Sequence, residues 1–382
     1  MTEKTQHIMI LTGEPSGDFH AAPLIRELIR SNPCIRISGI GGPAMAGEGA
    51  QLFFPIEKLS AMGLVQVIRQ FGTIKKAFRT VQHQVKTDKP DVIVLIDYPG
   101  FNLKVARYIK ENFDIPICYY IAPKVWAWNS ARLNTIKKYI DHVALILPFE
   151  LSIYKRCKIT ATYVGNPLLD EYPAAISDKK LFNDHDSIKK APVIGLLPGS
   201  RSAEIEKLLP VMLDSALAIK DRHLKASFLV SSGSDLYKNR INQIVSCHPC
   251  NKFCKIVQDR PLSIFKKADL LIAASGTVTL EAALCGVPTI LIYKMSPIAF
   301  KLATLLVKVK FAGLANLIAG QEVMPELLQT EANPLKISQT VFSMLPNLKQ
   351  HRIRLNQVRK KLGSSGAPKR TAQIVLNLIR RT

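Results

Sequence analysis

The chain has 382 residues, 47% of them hydrophobic and 21% charged, with a formal net charge of +23. That balance excludes a disordered chain, and the length asks for two domains of about 150–200 residues rather than one core. The positive charge suits either a solvated surface or an anionic partner: nucleic acid, a membrane surface or a phosphorylated substrate.

The first half alternates short apolar runs with helical segments. His7–Thr12 reads as a strand, Ala21–Ser31 as an amphipathic helix and Arg36–Ile40 as a second strand. Leu59–Lys86 reads as helix with a soft point at Gly72, and Asp91–Ile96 as a buried strand. Tyr98-Pro99-Gly100 is expected to delay the next helix to Asn102–Asn112. Ile115–Ile121, Ser130–Lys137 and His142–Leu147 continue as strand, helix and strand. Residues 166–190 are polar and Pro-containing and read as a linker. A second series follows: strand Val193–Leu197, helix Ala203–Lys220, strand Ala226–Ser231, helix Arg240–Val245 and strand Lys255–Val257. Strand Leu270–Ser275, helix Val278–Leu284 and strand Thr289–Tyr293 close it. The expected fold class is α/β: two Rossmann-like, doubly wound domains over 1–168 and 169–345, facing across a ligand cleft, then a segment 346–382. That last segment is basic: ten Lys and Arg lie between Asn347 and Thr382, with no Asp or Glu.

No secretory signal is evident, and no apolar run approaches the ~18 residues needed to span a bilayer, so a cytoplasmic location is expected. Seven cysteines then imply free thiols. Cys247, Cys250 and Cys254 with His248 offer a zinc-like spacing, but the second ligand pair is missing and no metal is expected.

Ser275-Gly276-Thr277 sits where a strand gives way to a helix. Backbone N–H groups and the helix dipole attract phosphate there, although small-residue turns are also ordinary punctuation. Glu281, one turn on, is within reach of a ribose hydroxyl. Leu197-Pro-Gly-Ser-Arg201 repeats the arrangement: Gly199 permits close approach, and Arg201 can donate two parallel hydrogen bonds to phosphate unless Glu204 occupies it. Gly13-Glu-Pro-Ser-Gly-Asp18 follows the first strand. Its carboxylates suit sugar hydroxyls or helix capping. Asp97 ends an uncharged strand and is a candidate general base, or else a carboxylate fixed by loop N–H groups. Trp126 and Trp128 suit either sugar and acyl stacking or the core. Leu64, Val65, Val67, Ile68 and Phe71, interleaved with cations, fit an interfacial helix or the core; Ile298–Phe311 is similar.

Taken in order, several motifs resemble the lipid-A-disaccharide synthase family, bacterial glycosyltransferases of GT-B architecture. They are Gly13-Glu-Pro-Ser-Gly-Asp18, Gly39-Ile-Gly-Gly-Pro-Ala-Met45, Asp97-Tyr-Pro-Gly-Phe-Asn102, Val125-Trp-Ala-Trp128, Ile146-Leu-Pro-Phe-Glu150 and Tyr163-Val-Gly165. The second half adds Leu197-Pro-Gly-Ser-Arg201, Ser275-Gly-Thr-Val-Thr-Leu-Glu281, Tyr293-Lys-Met-Ser-Pro297, Asn316-Leu-Ile-Ala-Gly320 and Glu322-Val-Met-Pro-Glu-Leu-Leu-Gln329. The chain departs from the pattern at Asn166, where histidine is usual, at Ala315 for proline, and at Asn129-Ser130 for Arg-Pro.

The resemblance implies a UDP-2,3-diacylglucosamine donor, a 2,3-diacylglucosamine 1-phosphate acceptor, and a β-1,6-linked disaccharide 1-phosphate plus UDP as products. The acceptor would bind to 1–168 and the donor to 169–345, with the basic tail returning to the first domain. Asp97 would be the base, and Arg201, Ser275, Gly276, Thr277 and Glu281 would hold UDP. Asn316, Glu322 and Gln329 would be further donor contacts, and Glu14, Ser16 and Asp18 would lie on the acceptor side. No cofactor is called for. The expected partners are the two lipid substrates and the anionic cytoplasmic face of the inner membrane; nucleic acid is not expected, and a homodimer is left open. The rivals are a UDP-N-acetylglucosamine 2-epimerase or lipid II-forming transferase on the same architecture, and a basic nucleic-acid-binding protein.

Overall fold

The structure, a computed structural model, describes residues 5–59, 64–126, 130–172, 191–222, 225–232, 237–258, 261–296, 300 and 309–380; over 64–71 it describes the backbone alone. The chain forms two compact units, Met1–Asp170 with Ser364–Thr382, and Glu171–Gly363.

The first unit carries strands β1 (His7–Leu11), β2 (Arg36–Gly41), β3 (Gln51–Pro55), β4 (Val92–Ile96), β5 (Ile117–Tyr120), β6 (His142–Leu145) and β7 (Ala161–Tyr163). Its helices are α1 (Pro15–Ser31), α2 (Pro43–Gly47), α3 (Leu64–Asp88), α4 (Pro99–Asn112), α5 (Arg132–Tyr139), α6 (Glu150–Arg156) and α7 (Leu168–Glu171), whose last residue begins the second unit. The strands form one parallel sheet in the order β3-β2-β1-β4-β5-β6-β7. β1 and β4 are buried along their whole length, as central strands covered by helices on both faces must be. Met9, Leu11, Ile93 and Leu95 enter one apolar cluster, with Val81 and Val85 of α3. Ile8, Ile10, Val92, Val94 and Ile96 enter the other, with Leu24 and Leu28 of α1.

The second unit repeats the plan. Strands β8 (Val193–Leu197), β9 (Ser227–Ser231), β10 (Cys254–Val257), β11 (Leu270–Ala274), β12 (Thr289–Tyr293) and β13 (Glu326–Leu328) form a parallel sheet in the order β10-β9-β8-β11-β12-β13. The helices are α8 (Ser202–Arg222), α9 (Lys238–Ser246), α10 (Pro261–Lys267), α11 (Thr277–Leu284), α12 (Leu314–Ala319), α13 (Pro334–Met344) and α14 (Leu348–Leu362). The last helix, α15 (Ala367–Ile379), lies in the first unit, where Ala367, Ala372, Val375 and Leu378 enter the cluster beside α1.

Two expectations need adjusting. The tail does not pass to the first unit as one piece from residue 346: α14 stays with the second and the crossing falls at Gly363. The reason is local. Leu355, Val358 and Leu362 are buried, and Lys361 donates to the Ala319 carbonyl. Pro99 does not delay its helix but starts it, as Pro15 starts α1, because the N–H a proline lacks would make no intrahelical bond in the first turn. Of the expected Leu59–Lys86 helix, the described part is α3, which turns Ala77, Val81 and Val85 into the core; residues 60–63 lie outside the described residues. The side chains of Leu64, Val65, Val67, Ile68 and Phe71 lie outside the described residues, as does most of Ile298–Phe311. Among the described residues no helix is long and apolar enough to cross a membrane.

Candidate active site

In each sheet the strand order reverses once, between β1 and β4 and between β8 and β11. Loops leaving the carboxyl ends of such strands diverge and leave room for a ligand. Asp97, Arg201 and Ser275–Thr277 follow three of these four strands, β4, β8 and β11, and the Gly13-Glu-Pro-Ser-Gly-Asp18 motif follows β1.

In the first unit, Asp97 and Tyr98 both take left-handed backbone conformations, φ 47° and 46°. Two consecutive non-glycine residues there are costly and must be held by their surroundings. The Asn102 amide donates to the carbonyls of Asp97 (2.8 Å) and Ile96 (3.2 Å), and the Tyr119 hydroxyl donates to the Asp97 carbonyl at 2.6 Å. The Tyr98 ring is then laid across Gly13, where a Cβ would come within 2.0 Å of it. Burial pushes the Asp97 carboxyl above its ordinary range, while the Tyr98 N–H and the Lys124 charge act against that shift. The result is a half-buried carboxylate, more basic than a surface one.

Of the two readings of Asp18, sugar contact and helix capping, the geometry favours capping, though of a helix other than its own. The residue is buried, and its carboxylate accepts from the N–H groups of Gly42 (2.8 Å), Ala44 (3.0 Å) and Met45 (3.1 Å). It therefore caps α2 and fixes the β2–α2 turn rather than offering its oxygens to an acceptor. Ser16 is exposed and Glu14 half-buried at the start of α1. Trp126 donates to Glu150 at 2.8 Å and meets Phe149 edge-on; Trp128 lies outside the described residues. Glu150 is almost wholly buried and also accepts from the Leu147 N–H. Burial pushes its carboxyl up to about 7, against those two bonds and the Lys124 charge.

In the second unit, Gly199 has φ +107°, and a Cβ there would meet the Glu204 carboxylate at 2.4 Å. Glycine thus lets Glu204 fold back onto the turn, accepting from the Ser200 N–H (3.2 Å) and from Arg201 (3.0 Å). The Arg201 side chain remains 61% exposed, oriented by Glu204 with donors still turned to solvent. Gly276 caps α11, and Gly276 and Thr277 are exposed while β11 behind them is buried. Glu281 is largely buried; desolvation raises its carboxyl, and the hydroxyl of Tyr172, donating to Oε2 at 2.9 Å, opposes the rise.

The three remaining donor-side expectations fare differently. Asn316 is fully buried and committed: its amide donates to the Met324 carbonyl and Glu326 carboxylate, and its oxygen accepts from Val323 and Met324. With every donor and acceptor used inside the fold, it shapes the 320–326 loop and has nothing left for a ligand. Gln329, at φ 52°, pairs its side-chain amide with the N–H and carbonyl of Met295, each at 3.2 Å in the orientation that satisfies both groups. One N–H and one lone pair of that amide are left over, and the residue is half-buried. Glu322 is exposed on the same loop, its carboxyl raised by partial desolvation and by Glu326 and Glu331. Glu326, not anticipated from sequence, accepts from Ala312 (2.7 Å) and Gly313 (2.9 Å) and anchors the segment before α12.

His248 turns Nδ1 to the Cys250 sulfur (3.0 Å) and Nε2 to Asp214 (3.1 Å). Among the described residues no group of three or more His, Cys, Asp or Glu is placed to hold a metal ion.

Two doubly wound units with these strand-end loops have the fold of the GT-B glycosyltransferases. Solved structures of MurG from Acinetobacter baumannii (16% identity, TM-score 0.59, covering 99% of this chain and 100% of that one) and of UDP-GlcNAc 2-epimerase from Neisseria meningitidis (11%, 0.61, 99% and 100%) share it. Residues 8–377 match the family described as lipid-A-disaccharide synthetase. A Geobacter sulfurreducens protein named lipid-A-disaccharide synthase is 36% identical over 383 residues, 99% of each chain. The chain belongs to the lipid-A-disaccharide synthetase family.

Proposed function

We propose that the chain is an inverting glycosyltransferase that joins UDP-2,3-diacylglucosamine to 2,3-diacylglucosamine 1-phosphate, giving the β-1,6-linked lipid A disaccharide 1-phosphate and UDP. The observation that carries this reading is the family match along nearly the whole chain, at an identity far above that to the epimerase and MurG folds. Asp97 takes the proton of the acceptor 6-hydroxyl as that oxygen attacks the anomeric carbon. The glycosidic bond to UDP breaks on the opposite face. Arg201, the N–H groups of Gly276 and Thr277 and the α11 dipole stabilise the charge gathering on the leaving diphosphate, while the Ser275 N–H is held by the Ile292 carbonyl, and Glu281 accepts from the ribose. A net charge of +23 favours an anionic membrane surface, where both lipid substrates reside, and supports peripheral association with the cytoplasmic face of the inner membrane.

The test is an assay with both lipid substrates, following disaccharide and UDP together, with and without a chelator. The proposal expects stoichiometric release of both products and no chelator effect. Conversion of UDP-N-acetylglucosamine to its 2-epimer, or transfer only from the non-acylated donor, would contradict it.

A further inference from the structure

Tyr172 is the second residue of the second unit, yet it reaches the helix that carries the donor-binding candidates at two points. Its hydroxyl donates to Glu281 Oε2 at 2.9 Å. Its carbonyl accepts from Arg359 Nη2 at 2.8 Å, and Nη1 of the same guanidinium donates to the Leu284 carbonyl at 3.2 Å. Glu281 and Leu284 are one turn apart and share a face of α11. Tyr172 is thus clamped along that face by its ring oxygen at one end and by Arg359 of α14 at the other, with Phe265 beside the ring. The side chain is buried and its phenol is raised far above the ordinary value by burial and by the Glu281 charge, so it is a fixed donor. No other protein hydrogen bond reaches the Glu281 carboxylate among the described residues.

We propose that Tyr172 is a positioning residue for donor recognition: it occupies Oε2 of Glu281 and presents Oε1 alone to one ribose hydroxyl. The inference rests on the reading that Glu281 holds the ribose. Glu281 would otherwise be a largely buried carboxylate with no donor to fix its rotamer or offset its desolvation. Tyr172→Phe removes one oxygen and leaves the ring packing and the Arg359 clamp in place.

The test is a calorimetric double-mutant cycle on the full chain, using Tyr172→Phe, Glu281→Ala and the double variant, titrated with UDP and with its 2′,3′-dideoxy analogue. Donor KM and kcat are measured on the same proteins. Tyr172→Phe is expected to weaken UDP about 10-fold, the scale of one charge-assisted hydrogen bond, and to raise donor KM with kcat retained. The loss should vanish with the dideoxy analogue and on the Glu281→Ala background. An equal loss for both ligands, or a loss that persists without Glu281, would overturn the proposal. Unchanged UDP binding by Tyr172→Phe where Glu281→Ala binds weakly would overturn it alone. Wild-type UDP binding by Glu281→Ala would remove the ribose reading and this proposal together.

Discussion

The Tyr119 hydroxyl donates to the main-chain carbonyl of Asp97 at 2.6 Å, from the strand next to the one Asp97 terminates. Together with Asn102 it holds Asp97 in its left-handed backbone conformation. Tyr119→Phe leaves one buried carbonyl with a single partner and should cost about 1 kcal/mol; Asn102→Ala removes a donor from both the Ile96 and Asp97 carbonyls, the latter keeping Tyr119, and should cost about 2–3 kcal/mol. Both should lower kcat, by about 10-fold for Asn102→Ala, without changing UDP affinity, because UDP is assigned to the other unit. Chemical denaturation with a UDP titration checks this. Wild-type kcat in an Asn102→Ala protein of reduced stability would show that the strained backbone has no part in the reaction.

Asp18 gives a prediction of opposite kind. Its oxygens serve three backbone N–H groups of the β2–α2 turn, so Asp18→Ala should cost about 2 kcal/mol or more in stability. Acceptor KM of the folded fraction should stay near wild type. A variant that melts normally but binds acceptor poorly would return Asp18 to the substrate.

Glu150 makes stability fall as pH rises. Its folded carboxyl is near 7 against an ordinary 4.5, so between those values the native state holds more protons than the unfolded chain. Its contribution is fully present below about 4.5 and lost by about 7, at most about 3 kcal/mol. Urea melts of wild type and Glu150→Gln at pH 5 and pH 8 isolate this term. Wild type should lose stability relative to the variant on going to pH 8; parallel behaviour of the two would exclude it.

Much of this was legible in the sequence, for a physical reason. Central strands such as Val92–Ile96 and Leu270–Ala274 are buried on both faces and read as unbroken apolar runs. β3, β7 and β13 are edge strands of three to five residues with partly exposed side chains, and such strands leave no periodic trace. Arg201 with Glu204, and Gly276 at a helix start, could be located because strand-end loops announce themselves by small residues. Asn316 and Gln329 carried the right polarity in the right motifs, yet their partners, backbone groups and for Asn316 also the Glu326 carboxylate, are brought to them by the fold, which sequence spacing does not show. Tyr172 was invisible for the same reason: its partner lies 109 residues away.

Replacing the Asp97 carboxylate tests the account most directly. Asp97→Asn keeps the shape of the side chain and removes its basicity, so kcat for disaccharide release should fall at least ~10²-fold while the dissociation constant for UDP stays at the wild-type value. Near-normal turnover by that variant, with both lipid substrates saturating, would contradict the assignment of Asp97 as the base.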